Sequence, residues 1–266
     1  MKKNNDLVLN VSQEELLYLL KILGAPSIPG IDPNIFEGAT ERDIGVAVGV
    51  AERALIARGL VVPSGDGRVN ISEVALALIG TCAMPNFSVI TESTTKETTQ
   101  GMFWHGTKNI VIEHNLPVRG IHKFRALNNA ELPDAHIAEN LPKLPKSARG
   151  VPVGSLDNEI YEQGKEMIRD QRKAQEAEEL FINNGLPDQT AAELAKALRL
   201  AKTTITIGFL KHTAEGEPYS KGGVAVVSAR VAFLIEPEED DQSLSIQSIN
   251  NEDWKSWITK HLKAIQ

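Results

Sequence analysis

The chain repeats itself at long range, and that repeat limits its folds more than any local motif does. Ser72-Glu-Val-Ala-Leu-Ala-Leu78 matches Ala192-Glu-Leu-Ala-Lys-Ala-Leu198 at an offset of 120 positions. The apolar start at Phe87 falls on Ile205 at 118, and residues 102–112 fall without gaps on 224–234 at 122. That register lays Ile110-Val111-Ile112 on Ala232-Phe233-Leu234, and Asn128-Asn129 on Asn250-Asn251. Upstream, Ala57-Arg58-Gly59-Leu60 sits against Asn183-Asn184-Gly185-Leu186 at 126, the six extra residues being those of a hairpin around Gly65-Asp66-Gly67. A period this long is not that of a solenoid and points to duplication of a half-domain. Two such halves would bury their apolar sheet faces together about a pseudo-two-fold axis. The expected fold is α/β (α+β), each half an antiparallel sheet with helices. One domain spans 1–266, with a first half at 1–131, a crossover at 132–157 and a second half at 158–266.

Local signals fill in the halves. A short strand at 7–11 precedes Ser12, which caps a helix with Glu15 as its capping-box partner; that helix ends at Gly24. Thr40-Glu41 opens a second helix that stops at Arg58-Gly59, where glycine suits the C′ position. Two apolar pieces around Gly65-Asp66-Gly67 read as a hairpin, and Ser72 caps a third helix. From Phe87 the pattern turns to period two, with strands at 87–91, 101–105, 109–114 and 121–127 in an antiparallel meander. A polar, Thr-rich loop is expected at 92–100. The Pro-rich stretch 132–154, with Lys143, Lys146 and Arg149, reads as the crossover. A long charged helix is expected over 158–183 and another over 189–200. Strands follow at 203–209, 224–228, 231–235 and 244–249, with a second polar loop at 212–222. An amphipathic helix at 252–265 closes the chain with Trp254 and Trp257 one turn apart.

Composition removes whole classes of function. With 28 Lys+Arg against 35 Asp+Glu the net charge is −7, the opposite of the basic footprint that displaces counterions from nucleic acid. One cysteine, Cys82, forms no internal disulfide, which fits a reducing cytoplasm. The first residues lack the apolar core of a signal peptide, and no run approaches the ~20 apolar residues of a membrane helix.

Searches for chemistry come back empty. No G-x-S-x-G elbow occurs, and Gly65-Asp66-Gly67 lacks the Lys-Ser/Thr of a phosphate loop. His114 and His122 would face each other on adjacent strands with Glu113 nearby, but zinc needs three or four ligands; all six histidines read as surface or edge residues. The acidic run from Glu238 to Asp241 reads as a solvated turn. No catalytic residue, cofactor or metal is expected. The hairpin after the second helix resembles the wing of a winged helix, yet that helix offers chiefly Arg42, Arg53 and Arg58 to a groove. Interaction surface remains: Glu92, Ser93, Thr94, Thr95, Lys96, Glu97, Thr98, Thr99 and Gln100 in the first polar loop. An exposed Trp254 or Trp257 would add a hot spot.

The order of elements resembles the EspG family, chaperones of type VII (ESX) secretion. The resemblance rests on the opening strand and helix at 7–24, on Ala54-Leu-Ile-Ala-Arg-Gly-Leu-Val-Val62, on Gly65-Asp-Gly-Arg-Val69 and on the helix leading to Pro85 and Phe87. The second half adds Gly222-Gly-Val-Ala-Val-Val227 and Arg230-Val-Ala-Phe-Leu234 before the last helix. It covers nearly the whole chain in layout and is specific over 54–87. It implies a quasi-two-fold α/β body in the cytosol, without enzymatic activity. The implied partner is a helical secreted protein, PE–PPE-like or WXG-like. It would be held at the central sheet, at the loop carried over as 92–100 and at the C-terminal helical region, with no part for nucleic acid or membrane insertion. The charged 158–183 stretch, richer in Lys, Asn and Ile than the actinobacterial members, departs from that pattern. A winged-helix regulator, or an enzyme whose site shows no linear motif, are the alternatives.

Overall fold

The computed structural model describes residues 7–266 apart from 26, 33, 66–67, 128–132, 146–150, 171–172, 213–218 and 240–241. Outside the described residues lie the tip of the Gly-Asp-Gly turn, the Asn128-Asn129 pair, part of the Pro-rich stretch, most of the second polar loop and the end of the acidic run. The chain opens with β1 (Val8–Ser12) and α1 (Gln13–Leu23). Ser12 and Glu15 form the expected reciprocal box: the Glu15 N–H donates to Ser12 Oγ and the Ser12 N–H donates to the Glu15 carboxylate. Gly24 ends α1 at φ 68°, a left-handed conformation that a Cβ penalises. α2 (Glu41–Ala57) is boxed the same way by Thr40 and Asp43. A separate hairpin, β2 (Val61–Pro63) and β3 (Val69–Ile71), follows. α3 (Glu73–Ala75), a π-helical turn (Leu76–Gly80) and α4 (Thr81–Ala83) then run on as one helix.

The meander is β4 (Phe87–Thr95), β5 (Thr99–Gly106), β6 (Val111–Val118) and β7 (Ile121–Leu127), with α5 (Pro133–Asn140) after it. The second half repeats the order: β8 (Gly154–Asp157), α6 (Asn158–Arg169), α7 (Ala174–Asn183) and α8 (Asp188–Arg199), then β9 (Thr203–Lys211), β10 (Tyr219–Val227), β11 (Ala232–Pro237), β12 (Ser243–Ile249) and α9 (Asn251–Ile265). Among the described residues all the strands but β2 and β3 join one ten-stranded antiparallel sheet in the order β1-β7-β6-β5-β4-β9-β10-β11-β12-β8. The order reads alike from either end, so the halves meet edge to edge through β4 and β9 and do not stack face to face as expected.

One face of the sheet carries a core shared by both halves: Phe87, Val89 and Trp104 with Ile205, Phe209 and Leu234, under Ile137 of α5 and Trp254, Trp257 and Leu262 of α9. The other face carries two cores. Leu16, Leu19, Leu55 and Leu78 pack on Ile112 and Phe124 of the first half, and Tyr161, Phe181 and Leu194 pack on Phe233 and Ile246 of the second. Arg58 closes the outer edge of β1, donating to Asn10 O at 2.5 Å and to the Glu15 carboxylate at 2.9 Å. Free strand edges invite pairing with other chains, and this contact blunts one.

Four expectations are corrected. Residues 92–100 are not a loop: β4 and β5 stay paired to Thr94↔Thr99. Threonine suits a strand, and Thr95 Oγ1 closes the turn by accepting from the Glu97 and Thr98 N–H groups at 3.2 and 3.0 Å. Residues 158–183 are two helices, because the chain turns extended at Asp170 and α7 packs back on α6. Gly164 permits that contact; a Cβ there would lie 2.2 Å from the Phe181 ring. The crossover holds α5, and next to it the Leu144 N–H and C=O pair with the Asn251 amide at 2.9 and 3.1 Å. Finally, the repeat register is off by one. Trp104↔Glu113 answers to Ala225↔Leu234, an offset of 121. A one-residue slip exchanges the two faces of a strand, and at 122 Trp104 would fall on Val226, which faces α6–α8.

Gly164→Ala forces the Phe181 ring aside. It is expected to destabilise the fold by about 1–3 kcal/mol, read as a lower urea midpoint at unchanged m value.

Candidate functional site: the open centre of the sheet

The helices of the two halves cover the outer strands and leave the middle bare. On the helix-bearing face, Glu92 of β4 and Thr206 of β9 are exposed, and Ile90, Thr94, Thr204, Gly208 and Gly222 are half-buried. Cross-strand pairing puts them in rows: Glu92 beside Thr206, Thr94 beside Thr204, Ile90 beside Gly208 and Gly222. The result is a trough floored by hydroxyls and glycines. α6 forms one wall, and Tyr161, Glu162 and Lys165 with Thr204, Thr206 and Val224 enclose about 410 Å³ there. At one end, a recess of about 750 Å³ lies between the β4–β5 turn (Thr95, Lys96, Glu97) and the α8–β9 junction (Arg199 to Lys202).

The expected contact residues are divided by the strand geometry. Glu92, Thr94 and Thr99 face the trough, Ser93 and Gln100 face the opposite side, and Lys96, Glu97 and Thr98 form the exposed tip. Trp254 and Trp257 are not surface residues. They are 2 % and 7 % exposed, stacked at 5.1 Å on each other under the far side of the sheet. An amphipathic helix turns its largest apolar groups to the core, so neither offers a hot spot.

Four of the six histidines, His105, His114, His122 and His261, are likewise buried and not where the sequence placed them, while His212 is exposed. His105, His114 and His122 are 0 % exposed, side by side on β5, β6 and β7 beneath the first-half helices. The facing of His114 and His122 is observed, with Nε2 of one 2.9 Å from Nδ1 of the other. His105 Nδ1 lies 3.0 Å from Ser88 Oγ, which lies 3.1 Å from His212 Nε2. Sequence reasoning missed His105; the signal was its place at the β5 position equivalent to an apolar one. By the strand pairing, at offsets of 121 on β5 and β6 and 122 on β7, the three histidines stand where the second half has Val226, Ile235 and Leu244, all in its apolar core.

Burial holds His105 and His122 down to about 4, the nearby His212 adding to the effect at His105. Burial, then His122 and His105, pushes His114 well below the ordinary value. A neutral imidazole beside a serine is half of a nucleophilic dyad, but among the described residues His105 Nε2 has no hydrogen-bond partner and no acid orients it. Among the described residues no cluster of three or more His, Cys, Asp or Glu could hold a metal, and no helix is long and apolar enough to cross a membrane. Arg58, counted above among the groove-reading residues, is turned back onto Glu15 and Asn10.

Carboxylates tie a helix to the reverse face in each half. Glu113 of β6 contacts His136 of α5 and accepts from Arg125 at 3.1 Å. Glu236 of β11 lies 3.2 Å from His261 of α9, and Tyr219 Oη lies 3.0 Å from the other ring nitrogen. Burial raises both carboxyl pKa values, but the hydrogen bonds and charges of these partners outweigh it, and both end below the usual range.

No protein-family model matches this sequence, and neither does any curated protein. The fold does have a counterpart. The type VII secretion system chaperone EspG5 of Mycobacterium tuberculosis, solved in complex with the PE25–PPE41 dimer, superposes with a TM-score of 0.67. The match covers 97% of each chain at 10% sequence identity. At that identity the likeness shows a shared fold.

The buried histidines make stability depend on pH. Unfolded histidine titrates near 6.5, so between about 6.5 and 4 the unfolded chain binds more protons than the folded one and stability falls as pH drops. Glu113 and Glu236 act in the same direction: their contribution is present above the unfolded carboxylate pKa and is lost as pH falls through the lowered folded value. A steep loss of melting temperature from pH 7 to pH 4 is expected, His105 alone contributing on the order of 3 kcal/mol. The triple change His105→Val, His114→Ile, His122→Leu, copied from the second half, should flatten the profile between pH 6.5 and 5.

Proposed function

We propose that this chain is a non-enzymatic binding protein that keeps a helical secretion substrate soluble in the cytoplasm and presents it to a type VII system. The observation that carries this reading is the end-to-end fold likeness to a chaperone described in complex with its PE–PPE dimer. The open trough supports it, because a sheet left bare between two helical layers is the part of this surface shaped to receive a helix. The floor suits that role: Gly208 leaves the backbone open, with nothing within 4 Å of where a Cβ would stand. Glycine inside a strand is destabilising unless something approaches closely. The cargo would rest on Glu92, Thr94, Thr204 and Thr206, with Lys96 and Glu97 at the hairpin tip gripping its end. Coverage of exposed apolar surface is enough to prevent aggregation, and a standard interface of ~800 Å² per partner fits such a trough.

The test is co-purification of the tagged chain from its native cytosol, with recovered proteins identified by mass and by circular dichroism. A helical partner in near-equal amount is expected; recovery of the chain alone would remove the chaperone reading. Thr206→Arg and the tip reversal Lys96→Glu/Glu97→Lys are each expected to lower capture at least tenfold with the melting temperature unchanged. Thr95 is left intact because it closes the turn. Undiminished capture by both variants would move the cargo away from the trough.

A further inference from the structure

One pair of equivalent positions on the helix-bearing face is filled differently in the two halves. Phe103 of β5 pairs with Ile90 on β4 and His114 on β6, and Val224 of β10 pairs with Thr206 on β9 and Ile235 on β11. The pairing makes Phe103 and Val224 counterparts, with Gly101 answering to Gly222 and His105 to Val226. In the first half the Phe103 ring lies 5.1 Å from the His114 ring and is 8% exposed. The chain roofs it with the connection between α1 and α2. Gly30 of that connection comes so close that a Cβ would lie 2.8 Å from the ring, and its φ of 87° is left-handed. That connection spans 24–40, whereas the one between α6 and α7 spans only 170–173. With valine in place of phenylalanine, and no such roof among the described residues, the second half keeps the space open. It is the pocket of about 410 Å³ beside α6, lined by Val224, Val226, Ile235 and Leu244 of the sheet with Leu198 of α8 and Tyr161 of α6.

We propose that this pocket receives an aromatic side chain of the bound helical partner, standing where Phe103 stands in the first half. The molecule itself identifies the occupant: the same strand pairing holds a phenyl ring in one half and leaves room for one in the other. An apolar cavity of ~150 Å³ is enough for benzene, so this space takes a ring and the stem that carries it. Its sheet lining is aliphatic where the first half has histidine, which suits a ring with no polar group to satisfy. It opens on the trough, since Thr204 and Thr206 line both. A ring seated there fixes the register of a helix lying along the trough, and aromatic anchors in such pockets carry much of the energy of an interface. The proposal rests on the trough as the partner's seat and adds the residue type the partner must present.

Two measurements test it. In the first, N-acetyl-phenylalanine methylamide is titrated into the full chain and followed by methyl NMR. Saturable shifts at Val226 and Leu244 are expected, with a Kd of about 1–10 mM, and N-acetyl-leucine methylamide should bind more weakly. Val224→Phe supplies the ring from the chain itself, as the first half does, and should abolish the shifts without lowering the melting temperature. If phenylalanine does lower it, Val224→Met takes its place, because methionine is flexible enough to fill irregular space. No saturable shift up to about 50 mM overturns the proposal. So does equal binding of the leucine compound, or undiminished binding by the filled variant. In the second measurement the filled variant replaces wild type in the co-purification, and capture is expected to fall at least tenfold. Undiminished capture overturns this proposal and leaves the chaperone reading standing. Ring binding by a wild-type chain that recovers no partner supports the pocket and removes the chaperone reading, so the two fail separately.

Discussion

Everything in this molecule hangs on the ladder between β4 and β9. The two strands run antiparallel from Phe87↔Lys211 to Thr95↔Thr203, with Thr91↔Ile207 at the centre. Each is the first strand of its own meander, so each half alone would expose a long unpaired edge, the situation that invites aggregation. Joining the two removes both edges at once. An antiparallel pair is also unchanged by a two-fold rotation, so the join preserves the likeness of the halves. The consequences differ on the two faces. On one side the pairing brings Val89 and Phe209 into a single apolar layer that α5 and α9 can cover together. On the other side each half keeps its own helices over its own outer strands, and the seam is left bare. The trough is a product of the join and belongs to neither half.

The symmetry is broken in two places, and both are chemically informative. The first is the histidine row. Equivalent positions in the second half hold valine, isoleucine and leucine, so the backbone there accepts apolar side chains without strain. The first half carries three imidazoles in their place, kept neutral by burial and partly satisfied by each other and by Ser88. That arrangement makes the first half the acid-sensitive part of the fold. The second is the β2–β3 hairpin. It takes the place of direct contact between α2 and α3, leaving α2 with exposed Val46 and Val50 that no other described residue buries.

Much of the fold was legible in the residues, and the errors have physical causes. The capping box at Ser12, the helix start at Thr40, the strand boundaries at Phe87 and Ile121 and the terminal helix depend on interactions within a few positions, which sequence displays. The 92–100 segment was misread because threonine is at home in both polar loops and solvent-facing strands; pairing with β9, far away in the chain, decides the matter. The break at Asp170 was missed because both flanking pieces have good helical patterns, and only Phe181 packing on Gly164 shows that they fold back. The histidines were assigned to the surface because their type is usually exposed. The apolar character of the equivalent positions was in the sequence, but it could be used only with the correct repeat register, and that register was one residue out.

By itself the sequence determined most of the order of elements, the exclusion of an internal disulfide and the lack of any linear catalytic motif. These are properties of composition and short-range pattern. Tertiary structure decided which strand edges meet, which face each residue takes and where the helices stop. It thereby converted two tryptophans from candidate contacts into core, and polar strands from filler into the floor of a trough. The reason is that cross-strand neighbours here lie more than a hundred residues apart, as Thr206 and Glu92 do. No local preference encodes such a pair; only closure of the whole sheet brings it together.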